Sequence, residues 1–291
     1  MRLPQRLSPW MFLAPALIIA VLFHLWPFIN TLVLSFTDAR ALGGGSFVGL
    51  ENYGRLLEDP NFWLATRNTV LYMVVVVPLL VVLPLLLAVL VQPKLPAIGF
   101  FRSVYYSPVV ASMVVVGLIW TWLLASDGMV NQLLKALRIV QEPLPFLTDA
   151  SLLLFCCMLV TVWKGLGYYM VVYLAALGNV SKDCHEAAQV DGAGPVRRFW
   201  SVTVPGVRPT MFLVGLLGAI AAMKVFAEVF VMSYGTAGPG GQARTLVYTI
   251  REVGLGLGGE VGYASAMSLA LFVLTIGFSV GYLRAQKAET P

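Results

Sequence analysis

The sequence predicts an all-α membrane protein with six transmembrane helices. The first observation behind this prediction is composition: of 291 residues, 59% are hydrophobic and only 11% are charged, against about 25% charged residues in a soluble domain. No soluble fold of this length could bury so much apolar surface, so most of it is expected to face lipid. The second is that runs of about 20 apolar residues, the length that spans a bilayer, recur six times. They cover about 10–36, 67–92, 103–125, 151–178, 208–235 and 260–284.

The first run begins with basic residues, as a signal peptide does, but no small-residue cleavage site closes it. We therefore expect it to be kept as the first helix. Four prolines lie inside the first two runs: Pro15, Pro27, Pro78 and Pro84. Helices in membranes tolerate proline when neighbouring groups satisfy the freed carbonyls.

Two amphipathic stretches lie between the runs, "GLENYGRLLEDPNFW" and "MVNQLLKALRIV". Each has apolar residues at helical spacing with charged residues around them. We expect short helices here that lie along the outer membrane surface, and contact with a partner protein is the open alternative.

Several function classes are excluded by what the sequence lacks. The net charge is +5, but the basic residues are scattered without interleaved aromatics, which argues against nucleic acid as a partner. The three cysteines (Cys156, Cys157 and Cys184) form no pairable extracellular set, and with only two histidines no metal-ligand spacing exists. We expect no metal site and no catalytic residue, and a membrane enzyme is disfavoured for the same reason.

The lysines and arginines predict that both termini face the cytoplasm. With six spans the two termini lie on one side, which holds ten basic residues against seven on the other. The ten are Arg2, Arg6, Lys94, Arg102, Lys182, Arg197, Arg198, Arg208, Arg284 and Lys287. They occupy short loops close to the membrane, where the positive-inside rule is most reliable.

A polar segment, "DCHEAAQVDGAGPVRRFWSVTVP", interrupts the apolar chain on that cytoplasmic side. Asp183, with Glu186 three residues later, is typical of a capping box, and Ser181 is a second possible cap. A short helix should follow and end at Gly192. Pro195 suits the start of a second short helix, which Pro205 should end before the fifth span. We therefore predict a bent pair of short helices within a cytoplasmic loop, 179–207.

This segment resembles the coupling-loop motif of the permeases of ATP-binding-cassette (ABC) importers: Glu-Ala-Ala, three residues, Gly, nine residues, Ile, one residue, Leu-Pro. The matching residues are Glu186, Ala187, Ala188, Gly192 and Pro205, while Val202 and Val204 stand where the motif has Ile and Leu. The stretches "FFRSVYYSP", "VWKGLGYYMVVYLAAL" and "GYASAMSLALFVL" are similar to the carbohydrate-uptake branch, specifically to the first of its two permease subunits, as in the maltose and glycerol-phosphate importers.

The resemblance implies a single permease domain, 1–291, with the type I ABC importer fold, in the cytoplasmic (inner) membrane of a bacterium. It implies four partner subunits, namely a second homologous permease, two ABC ATPases and an extracytoplasmic substrate-binding protein, besides membrane lipid. The coupling surface would comprise Glu186, Ala187, Ala188, Asp191, Gly192, Ala193 and Pro205. No Gly-x-x-x-x-Gly-Lys-Ser/Thr loop is present, so ATP and Mg²⁺ are expected on the ATPase partner and no cofactor on this chain.

Charged and aromatic residues within the spans are candidates for the translocation path: Lys164, Tyr168, Tyr169, Tyr173, Lys224 and Glu228. Intramembrane charges are costly and therefore indicate function by default. Lys224 and Glu228 are four residues apart and could pair on one helix face, and Lys164 could pair with Glu228. The tyrosines offer flat surfaces and hydroxyls for sugars. Structural ion pairing remains the alternative for the charges.

The expected function is import of a sugar, a polyol or a glycerol phosphate, and the sequence does not decide among them. The rival hypothesis is a secondary transporter or channel driven by an ion gradient. Such a protein would need intramembrane acids for protons or sodium, and only Glu228 qualifies.

Overall fold

The protein's structure, a computed structural model, describes residues 8–92, 97–255 and 258–289, with side chains from residue 12 to residue 286. The described residues form fourteen α-helices: α1 (Ser8–Ala20), α2 (Trp26–Leu34), α3 (Glu51–Glu58), α4 (Pro60–Val91), α5 (Ile98–Val110), α6 (Met113–Leu124), α7 (Met129–Ala136), α8 (Ala150–Leu177), α9 (Lys182–Val190), α10 (Pro195–Arg198), α11 (Val204–Met223), α12 (Ala227–Met232), α13 (Leu246–Leu255) and α14 (Val261–Glu289). Short π-helical segments join α1 to α2 and α10 to α11.

Six helical stretches in the described ranges are long and apolar enough to cross a membrane, which confirms the predicted fold class and the number of spans. They are Phe12–Leu34, Pro60–Val91, Met113–Ala136, Ala150–Leu177, Pro195–Met223 and Val261–Gln286. The second span begins seven residues before the predicted residue 67. Asp59 accepts a hydrogen bond from the Asn61 N–H at 2.8 Å, and Pro60 suits the first position of a helix.

The described residues fall into two compact units. The first takes the chain up to Trp63 together with Thr249–Leu274, and the second takes Leu64–Tyr248 together with the chain from Thr275 onward. The predicted single domain, 1–291, stays a prediction.

In the first unit, α3 is fixed between the end of α2 and the start of α14. The Asn52 amide donates to the carbonyls of Ser35 and Thr37, at 2.9 and 2.8 Å. Arg55, one turn further along α3, forms a salt bridge of 2.8 Å with Glu260. These contacts place the first predicted amphipathic stretch as a short helix. The second stretch forms α7 in the other unit.

In the second unit, α8 is packed against α4, α5, α11 and α12. A Cβ atom at Gly167 would lie 2.2 Å from the Tyr105 carbonyl oxygen, so glycine allows the backbones of α5 and α8 to touch. A Cβ atom at Gly117 would lie 2.7 Å from the Val231 side chain, and this brings α6 close to α12. Two glycines therefore allow close contacts of α8 with α5 and of α6 with α12.

The predicted third span, 103–125, is wrong as a single helix. The backbone of Ala111 and Ser112 is extended, with ψ of 139° at each, and this break separates α5 from α6. Pro108 lies in the last turn of α5, where it supplies no N–H. The β-branched Val109 and Val110 that follow lose rotamer freedom in a helix, so the chain can leave the helix there. Hydropathy does not change across the break and gave no signal for it.

The predicted fifth span, 208–235, is also wrong at both ends. The helix begins at Pro195, runs through the π-helical segment Phe199–Thr203 and ends at Met223, and α12 follows as a separate piece. Pro205 therefore does not end the second cytoplasmic helix. Proline has no N–H to give to the ladder, and the wider π turn just before it lets the helix continue.

Candidate functional site

The first candidate site is the coupling loop, the segment from Ser181 to Pro205 that contains the Glu-Ala-Ala motif. Its first helix, α9, begins at Lys182, and the Ser181 hydroxyl accepts from the Asp183 N–H at 3.1 Å. Ser181 is therefore the N-cap, and the alternative that Asp183 caps the helix is wrong. Asp183 lies in the first turn instead, where negative charge is favoured by the helix dipole.

The end of α9 is closed by a Schellman motif at Gly192. The Gly192 N–H donates to the Gln189 carbonyl at 3.0 Å, and the Ala193 N–H donates to the Ala188 carbonyl at 2.9 Å. Gly192 has φ of +77°, which is the left-handed conformation that this motif requires and that glycine adopts without strain. The glycine of the sequence motif thus has a defined backbone role.

The second half of the loop is braced against α9. The Arg198 guanidinium donates from Nη1 to the Gln189 side-chain oxygen at 3.3 Å. A Cβ atom at Gly206 would lie 2.9 Å from the Val180 side chain, so the start of α11 lies against the turn before α9. Because α10 continues into α11, a displacement of α9 that moves α10 would also move the fifth span.

The residues predicted for coupling lie mostly at the surface of this loop. Glu186, Ala187, Asp191, Gly192 and Pro205 are exposed, whereas Ala188 and Ala193 are half-buried. Cys184, Ala187, Ala188 and Asp191 are spaced at i, i+3, i+4 and i+7, so they share one face of α9. The small side chains make this face shallow, which suits close contact with a partner.

The second candidate site is in the membrane-spanning part of the second unit, around Lys164 of α8. The Lys164 ammonium donates to the Val109 carbonyl at 3.2 Å. Val109 is in the last turn of α5, whose final carbonyls have no partner within their own helix. Lys164 therefore satisfies a carbonyl at the end of a broken helix, a contact that nothing in the sequence indicates.

Glu228 lies in the first turn of α12, close to the same part of α8. Its Oε1 accepts from the Thr161 hydroxyl at 3.4 Å, and that hydroxyl also makes a 2.6 Å hydrogen bond with the Tyr72 hydroxyl. Tyr72 is fully buried and bonds the Cys157 carbonyl at 2.9 Å. A chain of polar groups thus links α4, α8 and α12.

Thr161 and Tyr72 were missed by sequence reasoning. Thr161 is three residues before Lys164, so it shares a helix face with a charge that the sequence did single out. That spacing is a signal that could have identified it. Nothing in the sequence marks Tyr72, because an aromatic residue in an apolar run is ordinary.

The ion pairs proposed from the sequence are absent from the described part of the chain. Neither Lys164 nor Lys224 forms a salt bridge with Glu228, whereas Arg55 and Glu260 do form one, at 2.8 Å. The prediction that Lys224 and Glu228 share a helix face is wrong, because the chain leaves the helix between them. Lys224 is the exposed C-cap of α11, and Glu228 belongs to α12.

The three tyrosines of α8 have different surroundings. Tyr173 is fully buried, and its hydroxyl donates to the Val81 carbonyl at 3.0 Å. Tyr169 is 7% exposed and meets the ring of Tyr168 edge to face, with the centroids 5.1 Å apart. Tyr168 itself is 45% exposed. Tyr168 is therefore the most exposed of the three, and the role of all three in transport stays a prediction.

Comparison with known proteins gives one family match and several similar proteins. The family described as binding-protein-dependent transport system inner membrane component matches residues 65–286. The lactose transport system permease protein LacF of Rhizobium radiobacter is 33% identical over 281 residues, which is 96% of this chain and 94% of that protein.

Two solved structures have the same fold. One is a bacterial ABC transporter involved in the import of the acidic polysaccharide alginate, with a TM-score of 0.83 and 21% identity over 98% of this chain and 96% of that chain. The other is a bacterial alginate ABC transporter in complex with its alginate pentasaccharide-bound periplasmic protein, with a TM-score of 0.81 and 22% identity over 94% and 92% of the two chains.

Proposed function

This chain belongs to the family of binding-protein-dependent transport system inner membrane components, and we propose that it is the permease subunit through which an ABC importer moves a saccharide into a bacterial cell. Family membership decides against the ion-gradient-driven alternative. An ABC permease is not itself catalytic, so the energy must reach it from elsewhere. A separate ATPase subunit that binds ATP and Mg²⁺ is the proposed source.

The saccharide class rests on what similar proteins carry. The lactose-system permease is related along nearly the whole chain, and the alginate importers share the fold. Both substrates are built of linked sugar rings, so a saccharide of two or more rings is the proposed cargo. A glycerol phosphate is one alternative, which uptake of glycerol 3-phosphate would reveal, and a polyol is the other.

The observation that carries the mechanism is the built coupling loop. In the proposed mechanism its shallow face, comprising Cys184, Ala187, Ala188 and Asp191, sits in a groove on the ATPase. Closure of two ATPase subunits on ATP moves α9, and the continuous helix from Pro195 to Met223 carries this motion into the membrane. The spans then rock as rigid bodies to give alternating access.

The remaining partners follow from the same proposal. A second homologous permease completes the pathway, and an extracytoplasmic binding protein delivers the saccharide on the side opposite the coupling loop. Both termini of this chain then face the cytoplasm. Tyr168, with Lys164 and Glu228 behind it, is proposed to line the path.

The test of coupling compares two bulky substitutions on opposite faces of α9. Ala187→Trp puts an indole on the shallow face, and we expect the ATPase to be lost on co-purification. ATP-dependent uptake should fall at least tenfold. Uptake is measured with radiolabelled lactose, maltose or raffinose, whichever the wild-type importer carries. A tenfold weaker affinity for the ATPase corresponds to about 1.4 kcal/mol of docking energy. Lys182→Trp places the same group on the opposite face and should retain both activities. Equal behaviour of the two variants would overturn the proposed docking face.

A further inference from the structure

A cavity of about 290 Å³ lies in the second unit, away from the coupling loop and from Lys164. It opens beside the second and third turns of α4, the first turns of α8 and the loop that follows α12. Nine residues line it: Leu64, Arg67, Asn68, Leu71, Ala150, Ser151, Leu154, Phe155 and Gln242. The proposed topology places this end of α4 and α8 outside the cell. Ligand pockets range upward from about 300 Å³, so the space suits one sugar ring rather than a chain of them.

The wall of the cavity is fixed by buried hydrogen bonds. Asn68, which is 7% exposed, donates from Nδ2 to the carbonyls of Gln242 and Arg244, at 2.8 and 2.9 Å. The neighbouring Thr69 hydroxyl accepts from the Leu246 N–H at 2.9 Å. These bonds hold the loop after α12 against α4, so hydrogen-bonded backbone defines this wall of the cavity.

The polar groups that face the cavity have unused hydrogen-bonding capacity. Within the described ranges, Asn68 Oδ1 accepts no hydrogen bond, and the side chains of Arg67, Ser151 and Gln242 make none. Together they provide an acceptor amide oxygen, a planar guanidinium, a hydroxyl and a second amide. Phe155 adds a ring that is 48% exposed.

This combination matches the chemistry of a sugar ring. Hydroxyl groups need both donors and acceptors, and the apolar face of the ring stacks on an aromatic side chain. A lipid chain offers no hydrogen-bond partner to any of these four polar groups, of which Asn68 is buried and Arg67, Ser151 and Gln242 are exposed. The single positive charge of Arg67 is compatible with a neutral or an acidic sugar.

We propose that this cavity is a saccharide subsite at the outer end of the pathway, which holds one ring of the incoming substrate before it reaches the middle of the membrane. Asn68, Arg67, Ser151 and Gln242 bind the hydroxyls, and Phe155 stacks against the ring. The inference rests on the proposed function, because it takes its ligand class from saccharide import.

The first experiment tests occupancy in the complete importer reconstituted with its binding protein. Ser151→Cys is made in the otherwise unchanged chain and is modified from the outer side only, with a membrane-impermeant reagent, because the exposed native Cys184 lies in the coupling loop on the opposite side and Cys156 and Cys157 are buried. Lactose, maltose, raffinose and glycerol 3-phosphate are assayed for uptake, and each is then added during reaction with a methanethiosulfonate reagent. The transported saccharide should slow the reaction roughly tenfold at about ten times its Kd, and the others should not.

The second experiment measures uptake kinetics. Gln242→Leu should raise the KM for the transported saccharide by about 2- to 12-fold, the effect of one lost hydrogen bond, with unchanged assembly. Gln141→Leu is the matched control, because Gln141 is exposed and lies outside the cavity, and its KM should equal that of the wild type.

The outcomes distinguish failure of the proposed subsite from failure of the proposed saccharide import. Uptake of a saccharide without protection of the Ser151→Cys thiol, or with a KM unchanged by Gln242→Leu, overturns the subsite and leaves the function intact. A thiol that is unreactive with and without sugar shows that another subunit fills the cavity and also overturns the subsite. Uptake of glycerol 3-phosphate alone, or of none of the four, overturns the saccharide function and the subsite with it.

Discussion

Lys164 and Glu228 carry charge into an apolar region, and each lies beside an interruption of a helix. Lys164 contacts a carbonyl in the last turn of α5, where positive charge is favoured, and Glu228 lies in the first turn of α12, where negative charge is favoured. The broken helices thus offer each charge a partner that a continuous helix could not. This explains how two ionisable residues persist here without a direct salt bridge between them.

The role of Lys164 can be tested by removing its ammonium. Lys164→Met leaves the Val109 carbonyl without its donor, and we expect a loss of about 1.5–3 kcal/mol, the range for hydrogen bonds to charged groups. Lys224→Met is the matched control, since Lys224 is exposed at the end of α11 and should change stability by less than about 0.5 kcal/mol. The midpoint of thermal unfolding in detergent measures both. If the Lys164→Met protein is as stable as the control, the contact between Lys164 and the Val109 carbonyl does not stabilise the fold.

At the level of the helices, sequence reasoning was least successful at predicting where a helix runs unbroken and where it is interrupted. The interior of α8 was predictable, because no proline or charge interrupts its apolar run before Lys164. The break between α5 and α6 was not, because helix and break are equally apolar and Pro108 resembles prolines that α4 passes through, Pro78 and Pro84. Whether a proline ends a membrane helix depends on the neighbours that satisfy its freed carbonyls, and those are tertiary contacts.

The coupling loop gives the opposite case, because its turn chemistry is local. The Schellman motif needs a left-handed residue at Gly192, whereas Gly194 has φ of −65° and open space around its Cα. Gly192→Ala should therefore cost about 1–2 kcal/mol at this turn and reduce ATP-driven uptake by loosening α9. Gly194→Ala, the same change two residues later, should leave uptake and stability near the wild type. Hydrogen exchange of the α9 amides would follow the effect directly, and equal exchange in the two variants would contradict it.

At the scale of the whole molecule, composition and length were enough to predict the fold class and the number of spans, because lipid demands long apolar helices whatever their detailed packing. The first helix of the coupling loop and its end at Gly192 were predictable because caps and glycine turns depend on local sequence, while the coupling role of its residues stays a prediction. The polar chain through Tyr72, Thr161 and Glu228 was not, because it joins three helices that are far apart in the sequence. Side-chain partners of that kind are determined by how the helices pack, and hydropathy along the chain carries no information about that packing.

The orientation of the molecule is the last expectation, and it rests on the ten basic residues of the short loops. Arg197 lies in the coupling loop and Ser46 in the first loop of the opposite side, and both are exposed. In a Cys184→Ser background, Arg197→Cys should react with a membrane-impermeant maleimide only in inside-out vesicles, and Ser46→Cys only in right-side-out vesicles. The positions are separated by three spans in the structure, an odd number, so they must lie on opposite sides whichever way the protein inserts. Labelling of both from one side would mean that a span is miscounted, and labelling with the sides exchanged would reverse the orientation while keeping the count.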